Sequence, residues 1–297
     1  MKEMFSFHQK GLDLIIKLMR ARKLKQAVKA QPNLFLPAGD TTSLEPLIFG
    51  TYEHGLTELV SFFSKQGYRS AFFDIGANIG LSSFYCGAHF EKIFCFEPNS
   101  QLIDVLRANT NSIKHKTTIC NFGLGNEDKS TVLVVPKHNL GGGYIQDANQ
   151  SLSLDELAAK DRLHRNSIHD KYISTPVNIK TGRTVLTDIL SKLDAKSNVL
   201  FKVDVEGYEK VILTEIAHAL RSTHCAVIIF ENFSQDITPA YIRTIFNKDV
   251  KIQRLTNNLQ ELNSNVSKIL RTLMFGRVYS LEDDPKTLLG QVVLTVE

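Results

Sequence analysis

The sequence predicts an α/β protein built on a doubly wound, mostly parallel sheet with an antiparallel C-terminal strand, and three observations predict it. Short apolar runs suited to buried strands alternate with stretches of helical period along the 297 residues, the pattern of parallel strands joined by crossover helices. The run Phe72-Phe73-Asp74-Ile75-Gly76-Ala77-Asn78-Ile79-Gly80 passes from an apolar strand through a tight loop into Leu81-Ser82-Ser83-Phe84-Tyr85, a helix start. The last strand-like segments, 249–254 and 291–296, suit an antiparallel pair that closes the sheet.

Residues 8–30 read as a helix, because Leu12, Ile15, Ile16 and Met19 share one face and Leu24, Ala27 and Val28 continue it, flanked by Lys17, Arg20, Arg22 and Lys23. Residues 31–50 carry Pro32, Pro37, Gly39 and Pro46 and read as a linker. The expected division is therefore 1–47, a basic helix and linker, and 48–297, the main domain. A helix from Thr51 to Phe63 is expected to cover the ligand side of the sheet. The core then alternates strand 71–75, helix 80–89, strand 92–96, helix 99–110 and strand 117–122, with an added strand at 131–136. Residues 137–176 are polar, contain Gly141-Gly142-Gly143, and are expected to form a lid with a helix at 154–163. Strand 177–181, helix 184–193, strand 198–203, helix 209–220 and strand 226–231 complete the alternation. Residues 256–290 form an insertion without a readable role.

The loop after the first core strand points to a ligand. Gly76 and Gly80 let backbone approach a bound molecule without a Cβ in the way. A dinucleotide site shows G-x-G-x-x-G, with the pyrophosphate on the helix N-terminus. Here the middle Gly is missing and Asp74 stands directly before the loop. A carboxylate there repels a pyrophosphate and suits a cationic ligand such as S-adenosylmethionine (SAM), with its ammonium and sulfonium. A second apolar run, Ile93-Phe94-Cys95-Phe96, ends in Glu97, placed to accept hydrogen bonds from ribose hydroxyls. Pro98 follows, where a helix start loses nothing by its missing N–H. A ribose-binding acid is shared by nicotinamide sites, so it supports adenosine without separating the two cofactors.

A third motif separates them. Val199-Leu200-Phe201-Lys202-Val203-Asp204-Val205-Glu206-Gly207-Tyr208-Glu209 sets two carboxylates and a Lys at the end of a later strand. Together the three motifs resemble the FkbM family of SAM-dependent methyltransferases, from about Ile48 to Asn232. Asn121-Phe122-Gly123-Leu124-Gly125 and Phe230-Glu231-Asn232 fit the family's third and fifth strand ends. The resemblance implies a class I methyltransferase (Rossmann-like) fold. It also implies a cofactor site made of Asp74, Gly76, Ala77, Asn78, Gly80, Glu97, Pro98, Asn121 and Gly123.

Composition bounds the alternatives. No apolar run approaches the ~18 residues of a transmembrane helix, and the N-terminus lacks the apolar stretch and cleavage site of a secretory signal. Cys86, Cys95, Cys120 and Cys225 sit in apolar contexts without CxxC spacing and read as reduced core residues of a cytoplasmic protein. Of the net charge of +4, residues 1–30 hold eight Lys and Arg against Glu3 and Asp13, so the remainder carries −2. That balance argues against a nucleic-acid partner. The basic helix is expected to dock on the domain or on a second copy. The sharper alternative is peripheral contact with the inner face of an anionic membrane.

Methyl transfer to a hydroxyl needs an in-line acceptor and a base for its proton. If the strand stays extended, alternation puts Lys202, Asp204 and Glu206 on one side, with Asp204 and Glu206 as candidate bases and Lys202 keeping a neighbouring carboxylate ionised. No metal site is expected, and the FkbM resemblance requires none. The competing reading takes Asp204 with Glu231-Asn232 as Mg²⁺ ligands, as in catechol-type O-methyltransferases, although Glu stands here where that pattern has Asp. The expected reaction is SAM-dependent O-methylation of a sugar, in a surface polysaccharide or lipid-linked glycan. The alternatives are a small secondary metabolite as acceptor, or an inactive SAM-binding module of a glycan-assembly complex.

Overall fold

A computed structural model describes residues 6–9, 33–145, 172–194, 196–220, 224–233, 236–246, 249–258, 272–274 and 276–297. Its strands are β1 (Ser6–Gln9), β2 (Ala71–Ile75), β3 (Lys92–Phe96), β4 (Thr117–Cys120), β5 (Gly123–Gly125), β6 (Lys129–Pro136), β7 (Tyr144–Ile145), β8 (Tyr172–Thr181), β9 (Val199–Val203), β10 (Ala226–Asn232), β11 (Val250–Asn257), β12 (Arg277–Asp283) and β13 (Gly290–Val296). Its α-helices are α1 (Leu44–Phe49), α2 (His54–Lys65), α3 (Leu81–Cys86), α4 (Ile103–Asn109), α5 (Gly182–Ser191), α6 (Glu209–Ala219) and α7 (Pro239–Phe246).

The main sheet runs β1-β12-β11-β13-β10-β9-β2-β3-β4. Strands β10, β9, β2, β3 and β4 are parallel, and β13 lies antiparallel between β10 and β11. The chain starts at β2, steps outward through β3 and β4, then returns to β9 on the other side of β2. The strand order therefore reverses between β2 and β9, and the carboxyl ends of those strands are the usual ligand position in an open α/β sheet.

Alternation along the buried strands fills a core on each face. Phe72, Leu200, Val227, Ile229 and Val293 pack on one face with Leu56, Leu59, Val60 and Phe63 of α2. Phe73, Phe201, Ile228 and Phe230 pack on the other with Leu186, Leu190, Ile212, Leu213 and Ile216 of α5 and α6. Phe73 stacks on Phe201 at 4.4 Å and on Phe94 at 5.2 Å between centroids. Removing such a ring leaves a cavity that the sheet cannot close, at a cost of about 3–5 kcal/mol.

The structure departs from the sequence expectations in four places. A second sheet, β5-β8-β6-β7, stands apart from the first. Its longest strand, β8, begins at Tyr172, inside the expected polar insertion. Thr175, Val177 and Ile179 alternate inward there, and Pro176 pairs only with Val132 of β6, because β5 reaches β8 only at Ile179–Thr181. A Pro in a strand needs such a free side. The segment 256–290 contains β12, which pairs with both β11 and β1. Residues His8 and Gln9, expected in the N-terminal helix, belong to β1, and the rest of that helix lies outside the described residues. So does the helix expected at 154–163. The expected linker contains α1, which crosses the expected boundary at 47/48, and Leu34 and Leu36 pack beside Ile79, Leu81 and Leu102. Among the described residues, no helix is long and apolar enough to cross a membrane.

Candidate active site

The crevice at the strand reversal holds a cavity of about 230 Å³. Three of its walls follow from the ends of β2, β3 and β9. Gly76 follows β2 with φ 77°, and a Cβ on it would lie 1.9 Å from the Asp204 carbonyl oxygen. Only glycine allows the two loops to cross so closely. Asp204 N–H donates to the Ile75 carbonyl at 3.0 Å, and Gly76 and Ala77 N–H both donate to the Phe96 carbonyl at 3.0 Å. The fourth wall is the segment 139–143. Asp40 holds it down by accepting from Leu140 N–H at 2.9 Å, and Thr41 N–H donates to the His138 carbonyl at 2.9 Å.

One end of the cavity carries Phe96, Glu97, Pro98, Gly123 and Leu124. Both Glu97 oxygens are engaged, Oε2 by Asn78 N–H and Oε1 by Asn99 N–H, each at 2.8 Å. Burial pushes its carboxyl up to about 7, against these two hydrogen bonds, which favour the ionised form. Asn78 sits at φ 50°, and its Oδ1 is buried without a hydrogen-bond partner among the described residues. An orphaned acceptor at a cavity wall marks a place for a ligand donor.

The other end, on the side of β9 and β10, carries Tyr52, Glu53, Asp204, Glu206 and Glu231. Behind it lies Lys202, 4 % exposed, whose Nζ stands 3.2 Å from Asp74 Oδ1 and 3.2 Å from Asp204 Oδ2 and donates to the Gly76 carbonyl at 2.8 Å. Asp74 and Lys202 are register partners across β2 and β9. Burial works to strip the Lys202 proton, but Asp204, Asp74 and Glu53 outweigh it and hold the ammonium above its ordinary range. Glu53 is pushed up to about 8, first by burial and then by Asp204, with Lys202 and a hydrogen bond from Tyr52 opposing and Glu231 adding to the rise. Burial, then Glu53 and Asp204, keep the Tyr52 phenol protonated. Glu231 is raised by burial, Asp204 and Glu206, and Glu209 is pushed up to about 7 by burial first.

The Methyltransferase FkbM domain profile matches residues 74–259, more than half of the sequence. The chain belongs to the FkbM methyltransferase family. Together, the sheet order and the antiparallel β13 identify the FkbM domain here as a class I methyltransferase fold. No curated protein matched the sequence. Among solved structures, the chain is similar to an O-methyltransferase from Bacillus cereus in complex with S-adenosylhomocysteine (SAH), at 12% identity over 97% of this chain and 98% of that one, TM-score 0.41. It is also similar to an O-methyltransferase of tomaymycin synthesis from Streptomyces achromogenes in complex with SAM, at 12% identity over 97% and 96%, TM-score 0.36. A precorrin-6y C5,15-methyltransferase from Geobacter metallireducens gives 11% identity over 83% and 92%, TM-score 0.37. These likenesses are distant, and the fold assignment rests on the strand order.

Within the FkbM domain, Gly76, Asn78, Glu97, Pro98, Gly123, Asp204 and Glu206 line the cavity. Four expected cofactor residues stand behind its wall. Asp74 is fully buried and accepts from Ser83 Oγ at 2.7 Å while pairing with Lys202. Ala77 is buried. Gly80, at φ 82°, makes room for Leu106, which a Cβ would meet at 2.6 Å. Asn121 braces the loop by donating to the Glu97 and Pro98 carbonyls at 3.0 and 3.3 Å. The expected single face of Lys202, Asp204 and Glu206 does not form. Strand β9 ends at Val203, Glu206 lies in the turn that Gly207 closes at φ 77°, and Lys202 is a buried counter-ion. Asn232 is buried and donates through Nδ2 to the Ile237 carbonyl at 3.2 Å. Among the described residues, no group of three His, Cys, Asp or Glu is placed to hold a metal ion.

The sequence places the helix opening at Thr51 on the ligand side of the sheet but does not mark Tyr52 and Glu53 as site residues. The only signal was a polar, aromatic tetrad, Thr51-Tyr52-Glu53-His54, before an amphipathic helix.

Proposed function

We propose that this FkbM-family methyltransferase transfers a methyl group from SAM to a hydroxyl of a sugar, in a surface polysaccharide or lipid-linked glycan. The observation that carries the reading is the division of the cavity. One end offers apolar walls and the Glu97 carboxyl, which suit an adenosine. The other offers Glu53, Asp204, Glu206 and Glu231 against the single buried ammonium of Lys202, which suits a cation. The orphaned Asn78 Oδ1 adds an acceptor for the ligand's N–H or O–H groups.

When bound, SAM supplies an electrophilic methyl group on a positively charged sulfur. The chain supplies position and proton acceptance. Glu97 and the Gly76–Asn78 loop hold the nucleoside, and Lys202 fixes Asp204 at the crossing of two loops. The carboxylates at that end accept hydrogen bonds from an incoming hydroxyl and take its proton, because an alcohol does not ionise at neutral pH. A wall of carboxylates and amides also suits a polyol acceptor. The apolar side chains of Leu133, Leu140 and Ile145 in the same cavity favour the second reading, a small secondary metabolite.

Calorimetric titration of SAM and SAH into the protein tests the cofactor, with Glu97→Ala as control. Binding that weakens in the variant supports the site. Labelled SAM offered with glycan and small-molecule acceptors, with and without Mg²⁺, then separates the two acceptor classes. No binding to folded protein overturns the reading.

A further inference from the structure

Glu53 is the residue of the cavity whose placement folding alone explains least. It precedes α2 in a left-handed conformation, φ 39° and ψ 69°, and caps no helix N–H with its side chain. A non-glycine residue there is strained by about 1–3 kcal/mol, and such strain persists where surrounding contacts impose it. Glu53 N–H donates to Glu45 Oε1 at 3.1 Å, and Thr57 Oγ1 donates to the Tyr52 and Glu53 carbonyls at 3.1 and 3.0 Å. The turn is pinned from both sides, and its carboxyl lines the cavity.

The groups facing it define its charge state. They are Tyr52 and Glu45 from the segment before α2, Lys202 and Asp204 from β9 and the loop after it, and Glu231 from β10. Lys202 is already shared by Asp74 and Asp204. The carboxyls therefore outnumber the cation, and the excess is relieved by a proton held on Glu53. A cationic ligand entering the cavity relieves it instead.

We propose that Glu53 is the proton acceptor for the incoming hydroxyl, and that it gives up its resting proton when the cationic methyl donor arrives. This rests on the SAM reading above. In the transfer, the acceptor oxygen bonds to the methyl carbon while the carbon–sulfur bond breaks, its electron pair staying on a now neutral sulfur. The hydroxyl proton passes to the Glu53 carboxylate. The cavity thus returns to its resting state of charge, a protonated Glu53 with no cation beside it, as the neutral thioether forms. Tyr52, donating to the same carboxyl, is a positioning residue.

The test needs no acceptor. SAM and SAH share ribose and adenine and differ in the charge on sulfur, so their difference in proton release isolates the response to that charge. Titrations near pH 7.5 in buffers of different ionisation enthalpy count the protons. A carboxyl poised at about 8 can release up to roughly 0.8 proton there. The expected result is more release for SAM than for SAH in the natural protein, and equal release in Glu53→Gln, whose folding is shown by a circular dichroism spectrum matching that of the natural protein. Tyr52→Phe, which removes the hydrogen bond favouring the ionised form, should move the release to higher pH. Equal release for the two ligands in the natural protein, or an unchanged difference in Glu53→Gln, overturns the proposal while leaving SAM binding intact. Failure of both ligands to bind the natural protein overturns the cofactor reading, and the Glu53 role with it.

Discussion

The two ends of the cavity hold buried carboxyls that burial pushes upward, yet they are built on opposite principles. Glu97 is surrounded by donors: two backbone N–H groups lie 2.8 Å from its oxygens. Glu53 is surrounded mainly by acids, with the Tyr52 hydroxyl and the distant Lys202 ammonium as relief. The first is held rigidly, because its partners are main-chain groups. The second is an electrostatic element, whose state depends on what else occupies the cavity. A site can thus read the shape of a ligand at one end and its charge at the other.

The sharpest break in this comparison is at Lys202, whose ammonium touches both halves through the Gly76 carbonyl and Asp204. Lys202→Met should cost about 3–5 kcal/mol in urea unfolding, because it strands the buried Asp74 carboxylate. Adding Asp74→Asn should recover part of that loss. Next in size, Glu97→Ala should weaken SAM and SAH together by about 10- to 100-fold, the loss of hydrogen bonds to a charged group. Glu53→Gln should be selective: about fivefold weaker SAM with SAH nearly unaffected, the scale of one partly screened charge contact. Parallel losses in calorimetry for this variant would erase the distinction between the ends.

A further contrast lies in pH. Both carboxyls are raised above 4.5 in the folded state, to about 7 for Glu97 and about 8 for Glu53. The folded protein therefore binds more protons than the unfolded chain between those values, and stability falls as pH rises. Their contribution is full below about 4.5 and lost as pH passes through 7 and then 8. Melting temperatures of the ligand-free protein should decline over that window. Glu97→Gln should reduce the decline between about 4.5 and 7, and Glu53→Gln should reduce it over the whole range from about 4.5 to 8. Smallest of all, Asn121→Ala should weaken both ligands by only about threefold, since its side chain braces main-chain carbonyls outside the cavity.

The parallel core was legible because its signals are local. Apolar runs ended by turn residues fix β2, β3, β9 and β10 within a residue or two, and Gly76 announces a tight loop wherever it falls. The second sheet was not legible. Pro176 and a polar neighbourhood hide the alternation of Thr175, Val177 and Ile179, and only the short reach of β5 makes that Pro acceptable in a strand. Glu97 was readable from its place after a strand. Glu53 was not, because its role comes from groups more than 100 residues away in β9 and β10, and no residue type announces a strained glutamate. The expected alignment of Lys202, Asp204 and Glu206 failed for a countable reason: the strand stops one residue short of Asp204, so period-two alternation no longer governs Glu206.

The abutment of Gly76 on Asp204 leaves 1.9 Å where a methyl would need to stand. It welds the first and fourth loops of the parallel sheet into one piece, at a spacing set by main chain alone. The segment 139–143 is joined to the residues before α1 by a few loop hydrogen bonds, and Glu231 lies one residue beyond the last pairing of β10 with β9. Exchanging residues such as Asn139, Leu140 or Glu231 should therefore change the lining of the cavity without shifting the Gly76–Asp204 crossing, so that frame and lining can be varied independently.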